Sequence, residues 1–317
     1  MAQSAQAQSL GPHVVGSRVV VRRVLRGETG PSGGPAMTDV LGVCLAWSDG
    51  VCVVSPTSGG EPVHIAVADI VSGKPVPPRP SPRLRVSPRE AQVRAFALFP
   101  DLVVSPVAGP SGWLLRSSAT ATARRANSVL AFPVDTAGTS SEVVAPETTS
   151  FDVATVTEVE KHYAARGRPP VAAVLGESAE RECFRSLGWV PESHDADTLF
   201  QLGSVASVRR ALRSAAHADV SLSFEGTTAK AVIPGRAQGV AAYADDWVGF
   251  RGLEVAHQHR RQGLARTIMA ALLEWGAELG ATTAYLQVLG DNEPALALYG
   301  SMGFQTHHAY AYLTPRS

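Results

Sequence analysis

No apolar run in the 317-residue chain reaches the ~20 residues that a helix needs to cross a bilayer. The opening stretch, MAQSAQAQSLG, has neither a basic segment nor an apolar core, so no secretion signal is read there. Net charge is missing as well. With 28 Lys and Arg against 28 Asp and Glu, no global field draws the chain to nucleic acid or to a membrane surface. Cysteine is scarce: Cys44, Cys52 and Cys183 are scattered without metal or disulfide spacing and read as small buried apolar residues in a reducing cytosol. A cytoplasmic protein is therefore expected, with no metal and with neither membrane nor nucleic acid as partner. Its length calls for more than one domain, since single cores seldom grow past ~250 residues.

The chain divides by composition. Residues 1–12 read as a disordered tail. Residues 13–76 read as all-β, with Asp49-Gly50 between two alternating runs as a hairpin turn and GETGPSGGPA as a loop. Strands this short suggest a small SH3-like barrel, a stability or dimerisation cap in the plain reading and a peptide or nucleic-acid binder in the alternative, so a homodimer is allowed for. Residues 77–87 hold too many prolines for helix or sheet and read as a semi-rigid linker. Beyond it, Ser87 is a plausible N-cap for a helix from Pro88, and short strands and helices alternate to residue 203. Residues 204–317 begin with an Arg-containing helix and three antiparallel strand patterns.

The most informative stretch is Gly252–Arg266, GLEVAHQHRRQGLAR. An apolar strand ends in a basic loop, and a helix follows with Leu264, Ile268, Leu272, Gly276 and Leu279 on one stripe. Strand, Gly-containing turn and helix N-terminus in that order make an anion site, because the first-turn N–H groups lack intrahelical partners and the helix dipole adds to their pull. Gly263 lets a phosphate approach the backbone, Ala265 keeps the next turn open, and Arg260, Arg261 and Arg266 surround it with cations. The ligand implied is a diphosphate. A Rossmann-type nucleotide site fits poorly, since the glycine pattern differs and the strands leading in are antiparallel.

Arg260-Arg261-Gln262-Gly263-Leu264-Ala265 resembles the Arg/Gln-x-x-Gly-x-Gly/Ala signature of the GNAT superfamily of acetyl-CoA-dependent N-acetyltransferases. A second block follows at the family distance: a strand over Ala284–Leu289, then Asn292, Ala295, Leu298, Tyr299, Gly303 and Phe304. The resemblance covers about residues 221–312. It implies an α+β chain of GNAT fold in tandem form, with a degenerate first half at 88–203 and a catalytic half at 204–317, preceded by the SH3-like barrel. An internal repeat supports the tandem reading. Val174-Leu175-Gly176 matches Val288-Leu289-Gly290 at an offset of 114 (288 − 174), and Phe184–Trp189 matches Tyr299–Phe304 at 115 (299 − 184). Phe184 replaces Tyr299, and the first copy has no Arg-x-x-Gly-x-Ala loop.

The resemblance further implies that the Gln262–Ala265 loop holds the coenzyme A pyrophosphate, that the N–H near Val255 polarises the acetyl carbonyl, and that Asn292 bonds the pantetheine arm or caps a helix. Tyr299 is then the general acid for the departing thiolate, since a phenol stays protonated at neutral pH. Glu254 is the candidate base for the acceptor amine, and it is equally readable as a solvated strand carboxylate; Asp245 and Asp246 are weaker candidates. His257 and His259 lack companion ligands and read as loop histidines. The polar segment Arg124–Ser128 suits a cleft lining, with Asn127 as a candidate acceptor contact or a turn residue. An N-acetyltransferase acting on a small amine or a protein lysine is expected. The alternative is a non-catalytic acyl-CoA-binding sensor.

Overall fold

The computed structural model describes residues 10–30, 33–76, 82–134, 153–215 and 220–316, which form two compact units, 1–80 and 81–317. Most of the expected tail and the first half of the expected linker, 1–9 and 77–81, lie outside the described residues. What remains of both is structured. Pro12–Val14 makes a 3-10 turn that buries Val14, and Pro82–Arg85 makes another, from which Arg83 donates to the Thr283 hydroxyl at 3.1 Å.

The first unit holds β1 (Arg18–Thr29), β2 (Pro35–Ser48), β3 (Val51–Pro56), β4 (Val63–Ala66) and β5 (Ile70–Pro75). Asp49 and Gly50, both with positive φ, close the tight hairpin between β2 and β3. The strands order β4-β3-β2-β1-β5, all antiparallel, around Val19, Val21, Val40, Val54 and Ile65. Among the described residues no ladder joins β4 to β5. The sheet is therefore open, where a closed SH3-like barrel was expected. Two of the scattered cysteines are neighbours after all. The hairpin register brings the sulfurs of Cys44 and Cys52 to 3.9 Å, and burial pushes the Cys52 thiol up to about 12.

The second unit contains α1 (Pro88–Arg94), β6 (Val103–Pro106), β7 (Leu114–Ser117), β8 (Val129–Ala131), α2 (Val153–Ala164), β9 (Ala172–Leu175), α3 (Ala179–Ser186), β10 (Trp189–Pro191), β11 (Thr198–Ser204) and α4 (Val205–Leu212). It continues with β12 (Ser221–Glu225), β13 (Thr228–Ile233), β14 (Ala237–Ala244), β15 (Trp247–Val255), α5 (Leu264–Glu278), β16 (Thr283–Leu289), α6 (Glu293–Ser301) and β17 (Gln305–Pro315). One twelve-stranded sheet runs β12-β13-β14-β15-β16-β11-β17-β9-β8-β7-β6, with β10 beside β17.

The two segments repeat one motif. β8 lies parallel to β9, which is followed by α3, as β15 lies parallel to β16, which is followed by α6. Their last strands are exchanged. β11, from the first segment, sits between β16 and β17, while the end of β17, Tyr310–Leu313, pairs with β9. Helices cover both faces. On one, Val248, Phe250, Leu286 and Val288 pack against Leu264, Ile268 and Leu272 of α5. Gly276 is required there, because a Cβ would stand 2.6 Å from Val248. On the other face, Trp247, Tyr285 and Phe200 pack against Ala91, Ala95 and Leu98 of the α1 segment, whose first turn Ser87 caps by accepting from Glu90 N–H at 2.9 Å.

Candidate active site

β15 and β16 pair only from Trp247–Thr283 to Phe250–Leu286; beyond that they part. β15 stays with β14 as far as Val255–Ala237, across a register shift next to Gly252, which has φ +58°. Ala256 N–H donates to Arg236 C=O at 2.8 Å. Successive strand N–H groups point to opposite edges, so that of Val255 points into the gap between the parted strands.

Below the gap, Gly263 starts α5 with φ +81° and Arg261 stands two residues earlier with φ +60°. Only glycine adopts the first without strain. The helix start has neither a side-chain cap nor an acidic residue in its first turn, and a Cβ on Gly263 would meet nothing within 4 Å. The N–H groups of the first turn therefore face open space, as an anion site requires.

A cavity of about 1160 Å³ opens there, walled by the β13–β14 turn, the end of β15, the basic loop, the start of α5 and α6. Its lining gathers Glu254, Val255, Arg260, Arg261, Gly263, Leu264, Ala265, Arg266, Asn292 and Tyr299. Not all are free. The Arg266 guanidinium donates to Ser301 Oγ at 3.0 Å and to Ala211 C=O at 2.9 Å, tying α5 to α6 and α4. Asn292 caps α6 by accepting from Ala295 N–H at 3.2 Å. Glu254 is exposed and accepts from Gln238 at 3.0 Å. Gln262 turns its side chain away from the lining, donating to Gln258 C=O and accepting from Arg236. Arg236 is a cation of this wall that motif spacing does not reveal; the Pro234-Gly235 turn before it was the available signal.

Tyr299 packs edge-on to Phe304, with ring centroids 6.0 Å apart, and among the described residues its hydroxyl has no hydrogen-bond partner. Burial holds its pKa above the ordinary phenol value, and the positive charge of Arg125 opposes that shift. Phe184, at the corresponding place, is fully buried between Trp113 at 4.9 Å and Trp189 at 4.6 Å.

Asn127 is not brought to the cavity. Its Oδ1 accepts from Ser118 N–H at 3.1 Å, and its Nδ2 donates to Ala121 C=O at 2.7 Å and Ala123 C=O at 3.2 Å. With every amide atom engaged by the main chain, it clamps the turn before β8. The residue of that segment which does approach the site is Arg125, whose Nη1 lies 3.4 Å from Gln287 C=O on β16. His257 and His259 line the cavity, and no group of three or more metal-ligating side chains occurs among the described residues.

A parted parallel strand pair, an uncapped glycine helix start and a lone tyrosine over one cavity are the working parts of a GNAT-type acetyltransferase, and the chain belongs to that family. Over 96% of its length, and 96% of the relative's, it is 30% identical to the "Probable histone acetyltransferase Rv0428c" of Mycobacterium tuberculosis. The family described as "Probable histone acetyltransferase Rv0428c C-terminal" matches residues 197–313. The "Uncharacterized N-acetyltransferase YobR" of Bacillus subtilis is 32% identical over 25% of this chain, a stretch that spans only 32% of that relative. Among solved structures, a GCN5-related N-acetyltransferase from Kribbella flavida aligns with TM-score 0.49 and 19% identity over 72% of this chain and 95% of that one. The protein is thus an acetyltransferase enzyme, and the reading as a non-catalytic sensor falls.

Proposed function

We propose that the enzyme transfers the acetyl group of acetyl-CoA directly to the primary amine of a small molecule or a protein lysine. The observation that carries this is the single cavity in which the bare α5 N-terminus, the Val255 N–H and Tyr299 converge. The α5 start fits a pyrophosphate, since its N–H groups face open space and Arg260, Arg261 and Arg236 flank it. The Val255 N–H polarises the thioester carbonyl and steadies the oxyanion as nitrogen attacks; such a donor typically lowers the barrier by about 3–4 kcal/mol. Glu254 draws the proton from the acceptor ammonium, directly or through water, and Tyr299 gives its proton to the departing sulfur. The chain's three cysteines all precede residue 204, so no thiol of the second segment forms an acyl-enzyme.

The first segment lacks the loop and buries Phe184 in place of the acid, which supports a supporting, non-catalytic role for it. In the first unit, β1 flanked by β2 and β5 supports an SH3-like reading. Three free cysteines support the reading of an enzyme of the reducing cytoplasm. The name of the Mycobacterium relative would make a protein lysine the acceptor.

Tyr299→Phe tests the mechanism, because it keeps the ring and loses only the proton. With acetyl-CoA and a responsive amine, kcat should fall roughly 10²-fold while the Kd for acetyl-CoA holds. Unchanged turnover would remove Tyr299 from the reaction.

A further inference from the structure

The residues just beyond the last β15–β16 pair are Arg251 and Gln287, side by side where the strands part. Both face the α1 side of the sheet, away from α5. Arg251 donates from Nε to Leu98 C=O at 2.8 Å and lies 5.3 Å over the Phe99 ring, while Gln287 accepts from the Tyr310 hydroxyl. Arg125 reaches the same point from the first segment, through Nη1 to Gln287 C=O. Arg116, on β7, is only 2% exposed, held by Ser128 C=O at 3.0 Å and Ser128 Oγ at 2.7 Å. The three arginines belong together electrostatically: burial lowers the proton affinity of both Arg116 and Arg251, and the charge of Arg125 lowers each further. Its charge also opposes the burial that raises the Tyr299 pKa.

Among the described residues, none of these three guanidinium groups meets a carboxylate at ion-pair distance, whereas Arg94, Arg124, Arg181 and Arg209 of the same unit all do. The acid closest in influence, Asp101, is engaged: Ser118 donates its hydroxyl to it at 2.8 Å and Thr120 its N–H at 2.9 Å. Arg116 is satisfied by Ser128 and the Phe96 ring, which leaves half-buried Arg125 and Arg251 without counter-charge, a cost that an anionic ligand would offset.

Resting on the acetyl-transfer reading above, we propose that Arg125 and Arg251 bind an anionic group of the acceptor, and that the acceptor is therefore a small primary amine bearing a carboxylate, as amino acids do. The amine enters the gap between β15 and β16 toward the Val255 N–H. The carboxylate lies against the guanidinium forks, which match its planar geometry bidentately. A lysine within a basic peptide meets like charge here and is disfavoured.

The test uses the full chain, acetyl-CoA and matched acceptors: the standard L-amino acids against their amides, O-phosphoethanolamine against ethanolamine, and a basic lysine-containing peptide. The wild type should favour acids over their amides by roughly 10- to 100-fold in kcat/KM, the range expected of hydrogen bonds to a charged group. In Arg125→Gln and Arg251→Gln that ratio should collapse toward one while the KM for acetyl-CoA holds, and Arg125→Lys should restore part of it. A merely structural role would lower acids and amides alike and leave the ratio intact. Calorimetric titration of the coenzyme A complex with the same acids and amides reads the preference without turnover. Equal treatment of acid and amide, preference for the basic peptide, preference only for the phosphorylated amine, or a ratio untouched by both Gln variants would each overturn the proposal. Turnover without preference refutes this inference alone; no acetyl-CoA binding at all refutes the acetyl-transfer reading beneath it.

Discussion

His308, 9% exposed on β17, anchors α1 to the sheet, and its protonation gives a calculable acid lability. Its tautomer follows from the partners. The carbonyl of Val86 only accepts, so His307 Nε2 carries a proton, 2.8 Å away. His307 Nδ1 therefore accepts, and His308 Nδ1–H donates to it at 2.7 Å. His308 Nε2 is left to accept from the Gln92 amide at 3.0 Å. Both rings are neutral, and a further proton on His308 would face a donor inside a stack on Phe200, 4.9 Å away. Burial, then His307, lowers the folded pKa to about 3 from an unfolded 6.5. A depressed histidine contributes stability that is complete above 6.5 and lost as pH falls toward 3, because the unfolded chain takes up the proton first. By linkage this amounts to about 2 kcal/mol at pH 5. His307, lowered chiefly by burial, adds a loss of the same sign. Urea unfolding at pH 8, 6.5 and 5 measures it. His308→Leu should be less stable at pH 8 by about 1–3 kcal/mol, since Gln92 loses a partner, and should then lose about 2 kcal/mol less than wild type between pH 8 and 5. Parallel pH profiles would refute the assignment of both the tautomers and the burial effect.

Other perturbations divide site from scaffold. Gly263→Glu should abolish acetyl-CoA binding in calorimetry, because it sets a carboxylate at the open α5 start. Its Cβ meets no protein atom within 4 Å, but the φ of +81° strains any residue except glycine by about 1–2 kcal/mol. Gly263→Ala, which carries the strain without the charge, should therefore keep most of the binding. For Gly263→Glu, a Kd within twofold of wild type would remove the anion site. Asn127→Ala should lower stability by about 1–3 kcal/mol, since it frees three main-chain groups, and should leave the acetyl-CoA Kd unchanged; an acceptor KM effect at unchanged stability would return Asn127 to the site.

Much of the site was legible because it is local. A glycine between a strand and an amphipathic helix fixes the α5 start whatever surrounds it, and the burial of Leu264, Ile268 and Leu272 follows from helical spacing alone. The recurrence of Val174-Leu175-Gly176 as Val288-Leu289-Gly290 likewise marked two strands that the fold places as β9 and β16. What escaped depends on register, side-chain direction and strand partners, which composition and motif spacing do not encode. The Cys44–Cys52 approach needs the β2–β3 register, which the Asp49-Gly50 turn sets. The Arg124–Ser128 segment could be picked out as polar between apolar runs, but only the path of its 3-10 turn decides that Asn127 turns inward to the main chain and Arg125 outward to Gln287. Closure of the N-terminal sheet depends on edge strands whose sequences carry no mark of their partners.

The exchange of last strands explains why a segment without a phosphate loop is bound to the one that has it. β11 supplies partners to β16 from Thr198–Leu289 to Ser204–Thr283, on the edge opposite the one that β15 leaves bare past Phe250. Without β11, β16 would keep only its short pairing with β15, and the strand that carries Gln287 would lack support where the gap must be held open. The return path, Tyr310–Leu313 on β9, places Tyr310 between Gln287 and the first segment. Asp197 C=O, just before β11, accepts from Gly290 N–H at 2.9 Å and fixes the turn that leads to Asn292 and α6. The first segment thus builds one wall of the gap through main-chain pairing, and Arg125 rides on that wall. On the acceptor proposal above, a change at Arg125 should alter which amines are accepted without touching the loop at Gly263, because the two residues belong to the two different segments that share the sheet.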